Sequence, residues 1–376
     1  METQASNSYS PASSRSITSL DGLRALSIMI VILAHSAWSF PEWLKNTFFT
    51  RFILGSGSSG VGIFFVISGY LITTLLLREF KKTKNISLKH FYFRRTLRIF
   101  PPFYTYLSVI GVLWGFNIIP QHLPSFVAAL TYTWAYFAHA HGYFIAHSWS
   151  LSIEEQFYLG WPLLFLFFYP KKNLIRNSLI FIFTLPLIRV LLYFIAPSLR
   201  GYEGYMIQGW IDTIMVGCLL ALLKNRNQAG KLFPNSINTW TVGVMAGFAF
   251  AFCPWFSSVL PKPFGGLFTL LFSPTIKALC MGGIILYAVE NENSLLGKVL
   301  NHKVLKHIGV LSYSLYLWQQ IFMAKEFSFL PYGYFYALAA AQLSYWLIEN
   351  PSLKLRQHLE RKWKISTELG SNKPIF

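Results

Sequence analysis

Six residues of this chain combine chemical capability with an awkward place in the sequence: Arg24, His35, Arg95, Arg98, Glu154 and Glu155. Arg24 and His35 sit eleven residues apart in one apolar run. On a helix that spacing closes three turns to within roughly 20°, so both share a face about 16 Å apart along the axis. Arg95 and Arg98 are i, i+3 neighbours, able to present two guanidinium forks to one polyanion. Glu154 and Glu155 open another apolar run. Counting from the outer ends of their runs, His35 and Glu154 lie at one depth, roughly 8 Å inside the boundary. A histidine and a carboxylate at one level make a general-base pair, with the carboxylate orienting the ring. Structural alternatives stand beside each reading. Arg24 can be a cytoplasmic anchor and His35 a packing residue, and the arginines can hold lipid phosphates. Ser152 with Glu155 three residues on can be a helix cap.

These residues need a scaffold, and the composition defines it. Of 376 residues, 54% are hydrophobic, 18% aromatic and only 12% charged. That is about half the charged share of an average soluble domain. Such aromatic content excludes intrinsic disorder, and three cysteines in a chain this long make no disulfide framework. The chain reads as an all-α integral membrane protein whose net charge of +18 marks the cytoplasmic side, not a nucleic-acid surface.

At about 20 apolar residues per crossing, ten spans are expected: 23–40, 60–77, 99–119, 149–169, 177–196, 205–223, 238–253, 267–289, 308–323 and 333–348. The segment 125–140 is short and reads as interfacial or re-entrant. With both termini in the cytoplasm, 25 of the 32 Lys and Arg fall inside and 5 outside, while Arg189 and Lys277 lie within spans. The expected organisation is a polar cytoplasmic tail over 1–20, a transmembrane domain over 21–350 and a basic cytoplasmic tail over 351–376. No signal peptide is expected before the first span. Pro101 and Pro102 suit a new helix start. Gly60, Gly62 and Gly69 suit close helix packing. His139, His141 and His147 offer weak metal ligands with no acidic partner nearby. No metal is expected.

Several ordered stretches carry a family likeness. Asp21-Gly22-Leu23-Arg24 with His35 following, then Phe64-Phe65-Val66-Ile67-Ser68-Gly69-Tyr70, resemble the opening of the membrane-bound acyltransferase 3 family. So do Arg94-Arg95-Thr96-Leu97-Arg98-Ile99-Phe100-Pro101 and the run from Ser148 to Tyr158. Ser312 to Trp318 and Tyr345 to Pro351 are similar to the family's last two spans. The resemblance covers about residues 17–356.

It implies transfer of an acyl group, commonly acetyl, from acyl-coenzyme A to a carbohydrate hydroxyl, often on a bacterial surface polysaccharide or glycolipid. The expected location is the cytoplasmic (inner) membrane of a bacterium, among membrane lipids. Some members carry an added SGNH-type domain; its absence from this chain favours transfer directly within the bundle. Read with the resemblance, Arg24, Arg95 and Arg98 become the donor-phosphate site. His35 becomes the general base, with Glu154 and Glu155 beside the acceptor hydroxyl. A covalent acyl-histidine stays open. The competing reading is a transporter or flippase of a glycan or lipid-linked substrate. It expects inverted repeats and interrupted helices in matching positions, which are not found in the sequence.

Overall fold

With no water inside a bilayer, backbone polar groups must be satisfied within the chain, which leaves helices as the spanning form for a sequence of this pattern. The computed structural model meets that demand: its described residues form helices and turns, with no strand among them. It describes residues 18–371 apart from 46, 137–141, 170–172, 201–202, 227–237 and 328. The main helices are α1 (Thr18–Ser36), α2 (Phe48–Thr83), α3 (Leu88–Gly115), α4 (Ser148–Phe168), α5 (Leu174–Ile195) and α6 (Ile207–Asn225). After them come α7 (Thr239–Val259), α8 (Lys262–Leu271), α9 (Ser273–Glu290), α10 (Lys303–Val310), α11 (Ser312–Phe322), α12 (Gly333–Ser344) and α13 (Asn350–Ser371).

Each expected span overlaps helix, although 99–119 runs past the end of α3 at Gly115 and 267–289 and 308–323 are broken at Phe272 and Leu311. Five helical stretches are long and apolar enough to cross a membrane by themselves: Ser19–Ser39, Gly57–Thr83, Leu174–Ile195, Ile207–Asn225 and Thr239–Val259. A sixth forms if α8 and α9, bent by 45°, count as one. The other four expected spans are shorter or more polar. Among them, α3 carries the arginines and α4 the paired carboxylates.

Three local expectations change. Helix α3 starts at Leu88, where the Ser87 hydroxyl accepts from the His90 amide, and it runs straight through Pro101 and Pro102. A cap fourteen residues upstream outweighs the local proline signal. The Tyr313 hydroxyl donates to the Ile99 carbonyl at 2.8 Å, tying α11 to α3 next to the prolines. Helix α4 starts at Ser148, so Ser152 is interior and donates to the Ser148 carbonyl at 2.9 Å. The capping reading of Ser152 with Glu155 therefore falls. Helix α1 begins at Thr18, inside the stretch assigned to the polar tail; residues 1–17 lie outside the described residues.

Two devices fix the packing around the site. Helices α2 and α6 approach backbone to backbone. A Cβ on Gly69 would stand 2.0 Å from the Ile214 carbonyl oxygen, and one on Gly217 would stand 2.0 Å from that of Val66. Small residues permit this approach where lipid offers no hydrophobic drive between helices. The second device is ionic. Arg189 of α5, 2% exposed, pairs with fully buried Asp212 of α6. Thr275 donates to the same carboxylate at 2.8 Å, and the Leu270 carbonyl accepts from Arg189 at 3.1 Å. A buried charge is costly unless paired and hydrogen-bonded. This pair therefore ties α5, α6, α8 and α9 together.

Within 125–140, the helix Leu123–Leu130 has eight residues and spans about 12 Å, too short to cross. It is pinned by Tyr104 to the Leu130 carbonyl at 3.0 Å and by Gln156 to that of Tyr132 at 3.4 Å. At the other end, residues 350–371 continue as helix α13. This helix lies against α3, with Glu360 4.0 Å from Arg94.

Candidate active site

Helices α1, α2, α3, α4 and α11 enclose a cavity of about 90 Å³. Five of the six residues singled out by sequence line it: Arg24, Arg95, Arg98, Glu154 and Glu155. Ser68, Tyr158, Tyr313 and Tyr316 add hydroxyls. Arg95 and Arg98 reach one space because a step of three residues on α3 keeps them on one face. Arg24 arrives from the first turns of α1, where it bonds Asp21 at 3.2 Å. Arg95 stacks over the Tyr158 ring, 4.8 Å from its centre. Neither Arg95 nor Arg98 takes part in an ion pair among the described residues. Two guanidiniums facing a cavity without a bonded carboxylate suit an incoming anion.

The carboxylates reach the same cavity from α4, the helix that also carries Tyr158. Glu154 accepts from the Ser68 hydroxyl at 2.7 Å, and Tyr158 donates to Ser68 at 3.1 Å. Ser150 and Tyr316 share a 2.5 Å hydrogen bond on the same side. Glu349 (4% exposed), carried by the π-helical turn Tyr345–Glu349, accepts from Ser314 at 3.1 Å. Sequence reading assigned no role to Ser68, Tyr158, Tyr316 or Glu349, although all four fall in the family-like stretches.

His35 stands outside this cavity's lining, and its partner is not Glu154. Its Nδ1 lies 2.9 Å from Oε1 of Gln319 on α11. The Gln319 amide nitrogen points the other way, donating to Gln320 Oε1 at 3.0 Å and to the Tyr316 carbonyl at 3.5 Å. The amide oxygen is therefore the end shown to the ring. An amide oxygen only accepts, so this network assigns the hydrogen to Nδ1 and leaves Nε2 with its lone pair. Gln319 thus fills the orienting role expected of Glu154. Tyr316, one turn before Gln319, brings the same helix face into the cavity. The pairing expected from equal depth gives way to contacts across to other helices, His35 with Gln319 of α11 and Glu154 with Ser68 of α2.

Of the three histidines weighed as metal ligands, His139 and His141 lie outside the described residues. His147 packs edge-on against Tyr106 and Tyr316 with ring centres 5.2 and 5.4 Å away. Among the described residues no group of three or more His, Cys, Asp or Glu is placed to hold a metal.

A family model described as an acyltransferase domain matches residues 17–356. The chain belongs to the acyltransferase 3 family. Its curated relatives point the same way. It is 30% identical over 328 residues to the peptidoglycan O-acetyltransferase OatA of Listeria monocytogenes, covering 80% of this chain and 48% of that protein. It is 31% identical over 379 residues to the O-acetyltransferase OatA of Staphylococcus aureus strain NCTC 8325, covering 92% of this chain and 58% of that protein. A putative O-acetyltransferase of Staphylococcus aureus strain COL is 32% identical over 378 residues, with 90% and 58% covered. The chain thus spans about half the length of the curated relatives it matches. No solved structure matches it significantly. The family match runs through every residue of the cavity described above.

Proposed function

We propose that this chain transfers an acyl group, acetyl first among candidates, from acyl-coenzyme A to a hydroxyl of a carbohydrate-containing acceptor at the membrane. The observation that carries the reading is the cavity itself, which three guanidiniums and two carboxylates share in a member of the acyltransferase 3 family. The names of the relatives, O-acetyltransferases and in one case a peptidoglycan O-acetyltransferase, support an oxygen acceptor on a glycan.

Arg24, Arg95 and Arg98 would hold the donor's phosphates by charge and forked hydrogen bonds. The donor set fits in chemistry and sign. The cavity of about 90 Å³ is part-open, so the phosphates would sit at its arginines with the adenosine outside and the acyl-bearing arm leading inward. Nε2 of His35 would take the proton from the acceptor hydroxyl. The resulting alkoxide oxygen attacks the thioester carbonyl, a C–O bond forms, the C–S bond breaks, and the thiolate takes up the proton. Glu154, held by Ser68, is placed to accept from hydroxyls of the acceptor. In the same reading the bundle crosses the bacterial cytoplasmic membrane ten times, with both ends and the donor site inside. The asymmetry of basic residues supports that orientation.

The test uses the full chain purified in detergent and supplied with acetyl-coenzyme A. Free thiol release that rises with added glycan, matched by acetyl ester on the glycan, is the expected result. Protein that binds the glycan but never consumes donor would contradict it and favour transport.

A further inference from the structure

A second and larger cavity, of about 430 Å³, lies between α2, α5, α6, α8 and α9. Aromatic side chains form one wall: Trp149 and Trp210 lie with ring centres 5.5 Å apart, and Tyr205 stands 5.7 Å from Trp149. The polar lining includes donors without partners. Ser59 Oγ and Arg189 Nε are buried and make no hydrogen bond among the described residues. Lys277, also in the lining, pairs with no carboxylate among them.

The charges leave a remainder. Asp212 is occupied by Arg189, Thr275 and the Thr213 amide, so it neutralises Arg189 and nothing more. One positive charge, on Lys277, is unmatched in an intramembrane cavity. Unpaired ionisable groups at that depth are costly and mark ligand paths by default. Aromatic faces beside several hydrogen-bond donors and one spare cation describe a sugar ring bearing one acidic group.

This cavity also adjoins the first. Phe65 lines the first cavity and packs edge-on against Trp149 at 6.1 Å and Trp210 at 5.4 Å. On α4, Trp149 precedes Glu154 by five residues, about 7.5 Å along the axis.

We propose that the cavity bounded by Trp149, Trp210, Arg189 and Lys277 is an acceptor subsite for an acidic sugar, held on the aromatic wall with its carboxylate or phosphate on Lys277. The inference rests on the acyl-transfer reading above and names the acceptor's chemistry. A sugar seated here positions its neighbour in the same glycan toward Glu154.

Calorimetry on the full-length detergent-solubilised protein, without acyl donor, tests it. The probes are a tetrasaccharide alternating glucuronate with N-acetylglucosamine, a neutral N-acetylglucosamine tetramer, and N-acetylglucosamine 1-phosphate set against the free sugar. The wild-type protein should prefer at least one acidic probe over its neutral counterpart by about tenfold or more, as one charged contact implies. Whether the carboxylate or the phosphate pair shows the preference identifies the acidic group. Lys277→Met should erase it and Lys277→Arg should keep it, with folding checked by Tm. Equal binding of acidic and neutral probes by wild type overturns the proposal even if Lys277→Met does not fold. A preference that survives in folded Lys277→Met overturns it as well. Thiol release is read separately. Donor turnover without acidic-sugar binding defeats this inference alone, and sugar binding without donor turnover defeats the acyl-transfer reading alone.

Discussion

His35 and Gln319 meet across the bundle at 2.9 Å, Nδ1 against amide oxygen, although 284 positions separate them in the chain. That contact sets the ring's tautomer and aims its basic nitrogen away from α11. Replacing Gln319 by Leu should lower turnover at least about tenfold, bounded by the roughly 10² to 10⁴ that a general base supplies. Donor affinity should hold. Gln319→Glu, which keeps an oxygen against Nδ1, should restore part of the rate. Steady-state turnover beside donor calorimetry separates this from simple packing, which Gln319→Glu would not rescue.

Arg95 and Arg98 should act on donor binding. Either Arg→Ala change should weaken coenzyme A affinity by on the order of 2 kcal/mol, about 30-fold. Arg→Lys should rescue incompletely, because an ammonium lacks the planar fork and, at position 95, the stacking on Tyr158. Titration calorimetry with the free coenzyme measures this. Unchanged affinity in both Ala variants would assign the pair to lipid phosphate.

The ten-span orientation has its own test. In a background without native cysteines, Asn85→Cys should resist an impermeant maleimide added outside whole cells, and His122→Cys should react. The opposite pattern would reverse the bundle.

Packing at the α2–α6 crossing should tolerate no Cβ. Gly69→Ala and Gly217→Ala each force the two backbones apart and should cost about 1–3 kcal/mol, seen as a lower Tm in detergent. Gly115→Ala, where an added Cβ meets nothing within 4 Å, is the control.

What could be read from sequence followed from chemistry that lipid forbids. The arginine trio and the paired glutamates stood out because charges in apolar runs need a reason, and the structure gathers all five into one cavity. Gln319 did not stand out: an uncharged amide at the end of an aromatic run carries no periodic signal, and its partner lies at the far end of the chain. Asp212 was missed as the counter-ion of Arg189 although only 23 positions separate them, because the two stand on different helices and pattern within one helix does not say which faces meet. Helix starts failed for a different reason. A proline pair and a Ser-x-x-Glu pattern are local cues, and the flanking turns of α3 and α4 overrode both.

The most direct measurement compares acetyl transfer per folded molecule in wild type and His35→Gln, following thiol release and glycan ester together. Gln preserves a polar side chain near Gln319 but has no basic nitrogen. If His35 removes the acceptor proton, the variant should bind donor normally and turn over roughly 10² to 10⁴ times more slowly. Turnover above about a tenth of the wild-type rate, against that same expectation, would make His35 a packing residue and contradict the account.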